Sequence, residues 1–324
     1  MDFTNCYEEH LANLEILGRN KGTINNHIFY LNRIFDFLKE QGLSEIEEIE
    51  PRHIRRYIKA TLDRGREKPI TINKSTYILR SFFNFCVEEE IILESKNPIR
   101  HIKNLKQEKR VLVTFNDAEV TRIINYYNDN SYTDVRNKTI LMALFDMGLR
   151  ASEVCGIKNS DVTQTGVLIR GKGSKERVVY ISPIVRKQMK KYERFRQNRF
   201  KKRQPTEYYF LSQHADQIFR STINKILDTA CKNADIRPEV RASPHDCRHY
   251  FAQKQLRNGI DPYSLSRLMG HYDTSMTNVY LRGISDADIV ERGVQTSPIM
   301  DLKGQIKWGN KIKDNRPLLE KKTK

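Results

Sequence analysis

Several side chains in this sequence are typed and spaced for chemistry on a phosphate ester. In Ser243-Pro244-His245-Asp246-Cys247-Arg248-His249-Tyr250, a histidine and an arginine stand three residues apart behind a helix start. Ser243 is a good N-cap, Pro244 suits the first helical position, and Asp246 lies three residues past the cap, as in a capping box. His245 and Arg248, at i and i+3, then project from neighbouring points of one helix face. Amide groups at that helix end favour an anion and disfavour a protonated histidine. A neutral His245 can accept a proton, and Arg248 can grip phosphate oxygens as a two-pronged fork. Thirty-two residues past Arg248 comes Tyr280, with Gly270-His271 between them. These types together imply a phosphodiester held by cations and attacked by a phenol.

Three further segments carry candidate chemistry. Gly148-Leu149-Arg150-Ala151-Ser152-Glu153 puts an arginine at a helix start with a carboxylate one turn on to orient it. Lys172 sits between Gly171 and Gly173 at the tip of an expected hairpin, where glycines let the backbone turn tightly and approach a ligand. The spacing of a Walker A loop is absent there. Leu265-Ser266-Arg267-Leu268-Met269-Gly270-His271 closes the set. His245, Cys247 and His249 are close enough to raise metal binding. On a helix, however, Cys247 points away from the two histidines and no second Cys/His cluster completes a site, so no metal is assigned.

Read in order, Gly-Leu-Arg-x-Ser-Glu, Gly-Lys-Gly-x-Lys-x-Arg, His-x-x-Arg-His, Leu-Met-Gly-His and a following tyrosine resemble the tyrosine recombinases, the phage integrases and Xer-type enzymes. Each motif alone is weak, and the ordered series is specific. The resemblance spans about 114–280, and the helical N-terminal part is similar to the family's core-binding domain. It implies that Arg150, Arg248 and His271 clamp a scissile DNA phosphate and that Tyr280 attacks it to give a 3′-phosphotyrosyl link. It further implies that Lys172 protonates the leaving 5′ oxygen, that His245 assists proton transfer and that Glu153 supports the arginines. Neither ATP nor a metal is required, so no cofactor is expected. The implied partner is double-stranded DNA with a specific core site, bound by a homotetramer that is monomer or dimer when free, alone or with an accessory or partner recombinase. The same residues leave a second reading open, a phage or plasmid repressor that uses this fold to bind DNA without cutting it. A metal-dependent nuclease is disfavoured because no acidic ligand cluster accompanies the basic residues.

The elements that must position these residues give a mainly α fold with one small β-hairpin. Residues 1–105 read as an all-helical core-binding domain. Apolar residues at helical spacing define segments near 3–17, from Thr23 to Gly42, from Pro51 to Gly65 and from Ile72 to Val87. The stretch 99–110 is short on large apolar residues and reads as linker, and the linker between the two domains is placed at 106–113. A mixed α/β catalytic domain follows over 114–297, opening at Thr114-Phe115-Asn116-Asp117. In it, β-branched runs at 167–170 and 177–181 flank the Lys172 tip. A helix-like segment over 183–203 carries ten Lys or Arg from Arg186 onward against Glu193 alone. Residues 286–294 are expected to form a short docking helix, and 298–324 a basic tail.

Composition points the same way. The net charge is +17, yet residues 1–100 hold 15 Lys and Arg against 16 Asp and Glu, so the whole excess lies beyond them. Such a surface suits a polyanion, since neutralised phosphates release counterions. Candidate DNA contacts are Lys103, Lys106, Lys109 and Arg110 in the linker, Lys175 and Arg177 at the hairpin, and Arg186, Lys187, Lys190, Lys191 and Arg194 beyond it. Five scattered cysteines without a Cys-x-x-Cys pair fit a reducing cytoplasm, and no apolar run approaches membrane-spanning length, so a cytoplasmic protein without a membrane partner is expected.

Overall fold

Several helices begin where the sequence supplies a capping side chain. In the computed structural model, which describes residues 3–107, 113–171, 176–203 and 206–270, Asn20 caps the second helix through Thr23 N. Asn116, Ser131, Ser182, Ser243 and Asp261 do the same for later ones. The chain divides into two compact units, Met1–Arg110 and Val111–Lys324.

The first unit contains α1 (Phe3–Ile16), α2 (Lys21–Glu40), α3 (Pro51–Asp63) and α4 (Pro69–Glu88). Leu31, Ile34, Phe35 and Leu38 of α2 face Ile78, Leu79, Phe82 and Phe83 of α4, and Phe3 and Cys6 of α1 close the core. Ile99 and Ile102 are also buried in this core. The stretch from 99 is therefore not linker from its start: two isoleucines one turn apart anchor it to the bundle. Asn73 of α4 then holds both backbone groups of Leu105, at 2.8 and 2.9 Å. Lys103 and Lys106 are exposed beside these anchors.

The second unit is built around α6 (Tyr132–Met147), which is buried almost all round. Around it lie α5 (Asp117–Tyr126), α7 (Ala151–Gly156), α8 (Pro183–Arg199), α9 (Arg220–Asn233), α10 (Pro244–Arg257) and α11 (Pro262–Met269). Strands β1 (Gly166–Arg170) and β2 (Glu176–Tyr180) pair antiparallel, with Ile169 opposite Arg177 and Arg170 opposite Glu176. Val167, Ile169 and Val179 turn into the core, which fixes this register because a one-residue slip would expose them. A smaller cluster of Phe251, Leu256, Leu265 and Met269 packs α11 on α10. Among the described residues no helix is long and apolar enough to cross a membrane. All five cysteines are buried free thiols.

Candidate active site

Two left-handed glycines let the site close. Gly148 ends α6 with φ +60°, and a Cβ there would stand 2.3 Å from the Phe251 ring of α10. Gly270 ends α11 with φ +63°, and a Cβ there would stand 2.9 Å from Arg177. Both positions favour glycine on backbone grounds as well as for close packing.

Arg150 is the N-cap residue of α7, and Glu153 reaches back to it. The Glu153 carboxylate accepts the Arg150 backbone N–H at 2.8 Å and the Arg150 Nη1 at 2.7 Å. Arg177, projecting from β2, donates Nη1 and Nη2 to the two oxygens of the same carboxylate, both at 2.9 Å. Glu153 is buried, Arg177 nearly so, and Arg150 remains 44 % exposed. Burial pushes the Glu153 carboxyl up, and the hydrogen bonds and charges of Arg177 and Arg150 overcome this, holding it down to about 2. One carboxylate is thus shared by two guanidiniums, which leaves a unit of positive charge in excess at the surface where Arg150 emerges.

Arg248 sits on α10, opened by Ser243 and Pro244 as the sequence implied. Its side chain is 1 % exposed, a burial that the spacing did not indicate. It donates Nη1 to the carbonyl of Gly148 at 2.6 Å and Nη2 to that of Met269. The Leu268 carbonyl takes Arg177 Nε at 2.8 Å. The last carbonyls of α11, orphaned by the helix end, are therefore satisfied by two arginines from separate motifs.

His245 lies at the surface with its ring packed edge-on against His249, 4.2 Å between centroids. Its pKa is lowered, first by loss of solvent around the ring and then by Arg248, Arg150 and Arg241, with Asp246 opposing. The neutral form expected from the helix start is favoured chiefly by the partial loss of solvent around this surface ring, with the neighbouring arginines adding to it. Asp246 turns inward, bonding Ser243, and its carbonyl accepts Thr114 Oγ1 at 3.1 Å. Cys247 is buried in the core, away from the two histidines.

The structure brings Arg150, Glu153, His245 and Arg248 together. Lys172, His271 and Tyr280, and with them Lys109, Arg110, Lys175 and the segments 286–294 and 298–324, lie outside the described residues. Three expected DNA contacts have protein partners. Arg177 is committed to Glu153 and Leu268. Arg186 pairs with Glu193 at 3.5 Å and Lys191 with Asp129 at 3.3 Å. Lys187, Lys190 and Arg194 of the same helix are exposed. Sequence reasoning missed the ion pair of Glu119 with Arg237, in which Arg237 Nε donates at 2.9 Å and its backbone N–H at 3.0 Å. It ties the start of α5 to the loop before α10. A capping-box signal at Asn116 could have flagged Glu119, but nothing local marks its distant partner.

Known proteins similar to the chain identify its family. The model of the phage integrase family matches residues 99–284, and that of the phage integrase N-terminal SAM-like domain matches 7–90. The chain belongs to the phage integrase family. A tyrosine recombinase XerC of Bacillus pumilus is 29% identical over 270 residues, covering 82% of this chain and 87% of that protein. A tyrosine recombinase XerD of Oceanobacillus iheyensis is 29% identical, covering 81% and 88%. Within the family the chain is a tyrosine recombinase of Xer type. Its fold matches the XerH site-specific recombinase bound to its palindromic difH substrate (TM-score 0.69, 17% identity, covering 86% of this chain and 80% of that one). It also matches a lambda integrase tetramer bound to a Holliday junction (TM-score 0.68, 16% identity, 88% and 79%).

Proposed function

We propose that this tyrosine recombinase cuts and rejoins double-stranded DNA at a specific core site through Tyr280. Arg150 and Arg248, with His271, hold the non-bridging oxygens of the scissile phosphate and stabilise the charge that builds on them in the transition state. The Tyr280 oxygen attacks phosphorus as the bond to the 5′ oxygen breaks. Lys172 delivers a proton to that leaving oxygen, and His245 takes part in the transfer of the tyrosine proton. A tyrosine with an ordinary pKa near ~10 needs such neighbours to ionise during attack. The phosphodiester energy stays in the protein–DNA bond, so rejoining needs no nucleotide.

The observation that carries this reading is the excess positive charge at Arg150, held by Glu153 and set next to His245 and Arg248. An anion is the complement of such a site. Relatives of the same fold, one bound to its difH substrate and one a tetramer on a Holliday junction, support DNA binding and oligomeric assembly on DNA, and the assembly proposed here is a homotetramer on two duplexes that exchanges strands at core sites. Linker residues Lys103, Lys106, Lys109 and Arg110 and the exposed α8 residues Lys187, Lys190 and Arg194 are the assigned backbone contacts. The test is capture of a covalent protein–DNA adduct on a nicked duplex, and its loss in Tyr280→Phe.

A further inference from the structure

We propose that Arg177 is a positioning residue for strand cleavage, acting from β2 on Arg150 through Glu153 and on the chain entering His271 through the Leu268 carbonyl. This rests on the reading of Arg150 as a phosphate clamp. The Arg177 guanidinium is held by protein: its Nη atoms meet both Glu153 oxygens at 2.9 Å and its Nε meets Leu268 O at 2.8 Å. Every nitrogen of the guanidinium is thereby engaged by protein, and the side chain is 12 % exposed.

The geometry makes Arg177 the common neighbour of three site segments. Bidentate pairing fixes the carboxylate in plane, and the fixed carboxylate receives both the backbone and the side chain of Arg150. Arg177 also packs closely on Gly270, where a Cβ would stand 2.9 Å from its side chain and force it to shift. Its own strand leads back to the hairpin tip that carries Lys172 in sequence. A shift of Arg177 therefore displaces Arg150 and the segment before His271 together. Misplacing a positioned group by about 1 Å costs roughly 100-fold in rate.

A lone structural salt bridge would stabilise the fold without this link to cleavage. The distinction is visible in pH. Among the described residues the charged groups facing Glu153 are Arg150 from its own helix and Arg177 from β2, and α11 presents a carbonyl. Without Arg177, burial acts on Glu153 with less opposition, so its carboxyl rises toward the working range. Cleavage by Arg177→Met then falls on acidification and recovers as pH rises.

The experiment uses the full chain and a nicked duplex built on the site that wild-type protein selects from a random-sequence duplex pool. Adduct formation rate at saturating DNA and DNA affinity are measured from pH 5 to 9. Arg177→Met is expected to lose about 100-fold in rate with affinity nearly unchanged. Arg177→Lys, which keeps the charge but loses the fork, is expected to fall between it and wild type. Glu153→Gln with Arg177→Met is expected to be no slower than the slower single variant and to lose the added pH dependence, the mark of two residues acting as one unit. Should Arg177→Met fail to fold, Arg177→Lys and the double variant carry the test. Wild-type rate in the Arg177 variants, a loss confined to affinity, or additive losses overturn the proposal while leaving Arg150 as clamp. If wild type itself forms no adduct on its selected site, the cleavage reading fails first.

Discussion

Arg248 Nη1 donates to the carbonyl of Gly148 at 2.6 Å across 100 residues of sequence. That bond joins the α10 motif to the turn that delivers Arg150, and the second bond to Met269 adds the end of α11. Arg248 is therefore at once a proposed phosphate ligand and a structural tie. Arg248→Met leaves two buried carbonyls without their donor, at about 1–3 kcal/mol each. The expected result is loss of cleavage together with a clear drop in thermal midpoint, measured by circular dichroism.

Arg150 should behave oppositely. It is 44 % exposed, and Arg177 still pairs with Glu153 when it is gone. Arg150→Ala is expected to abolish adduct formation while the thermal midpoint moves little and DNA binding is mostly retained. A cooperative loss of folding in the same measurement would make Arg150 a structural residue.

Acid should weaken the catalytic unit through Glu119. Burial raises that carboxyl, and the hydrogen bonds from Arg237 and Asn116 outweigh it and hold it down to about 2. A depressed carboxyl contributes stability that is fully present above its unfolded pKa, near ~4.3, and is lost as pH falls through about 2. Urea midpoints followed from pH 7 to pH 2.5 should decline below about pH 4.5 in wild type. Arg237→Met should be weaker at pH 7 and decline less, because part of what acid removes is already gone.

The basic helix α8 divides into two sets. Arg186 and Lys191 pair with Glu193 and Asp129, whereas Lys187, Lys190 and Arg194 are exposed. Neutralising the exposed three is expected to flatten the dependence of log affinity on log salt by roughly one for each phosphate left without its cation. Lys191→Gln should leave that slope unchanged. An unaltered slope in the triple variant would return this face to solvent.

Most of the fold was legible because its signals are local. Apolar spacing in α2 and α4, the caps at Asn116 and Ser243, and the β-branched runs around the hairpin each act within a few residues. Ile99 and Ile102 escaped because two isoleucines among lysines carry no periodic signal, and only the bundle shows where they go. In the site, residue types identified Arg150, Glu153, His245 and Arg248. They did not reveal that Arg248 would be buried or that Arg177 would pair with Glu153. Those outcomes depend on which carbonyls and carboxylates distant segments present, and Leu268 and Gly148 carry no such mark in sequence.

Strand cleavage by Tyr280 is the central claim, and one measurement bears on it most directly. Full-length protein is incubated with a nicked duplex carrying its selected site, and the products are resolved under denaturing conditions. Wild type should accumulate as a covalent species joined to the 3′ phosphate, and Tyr280→Phe should bind the duplex with equal affinity and give none. Tight binding by wild type without any covalent species or strand exchange would contradict the account and leave a DNA-binding regulator in its place.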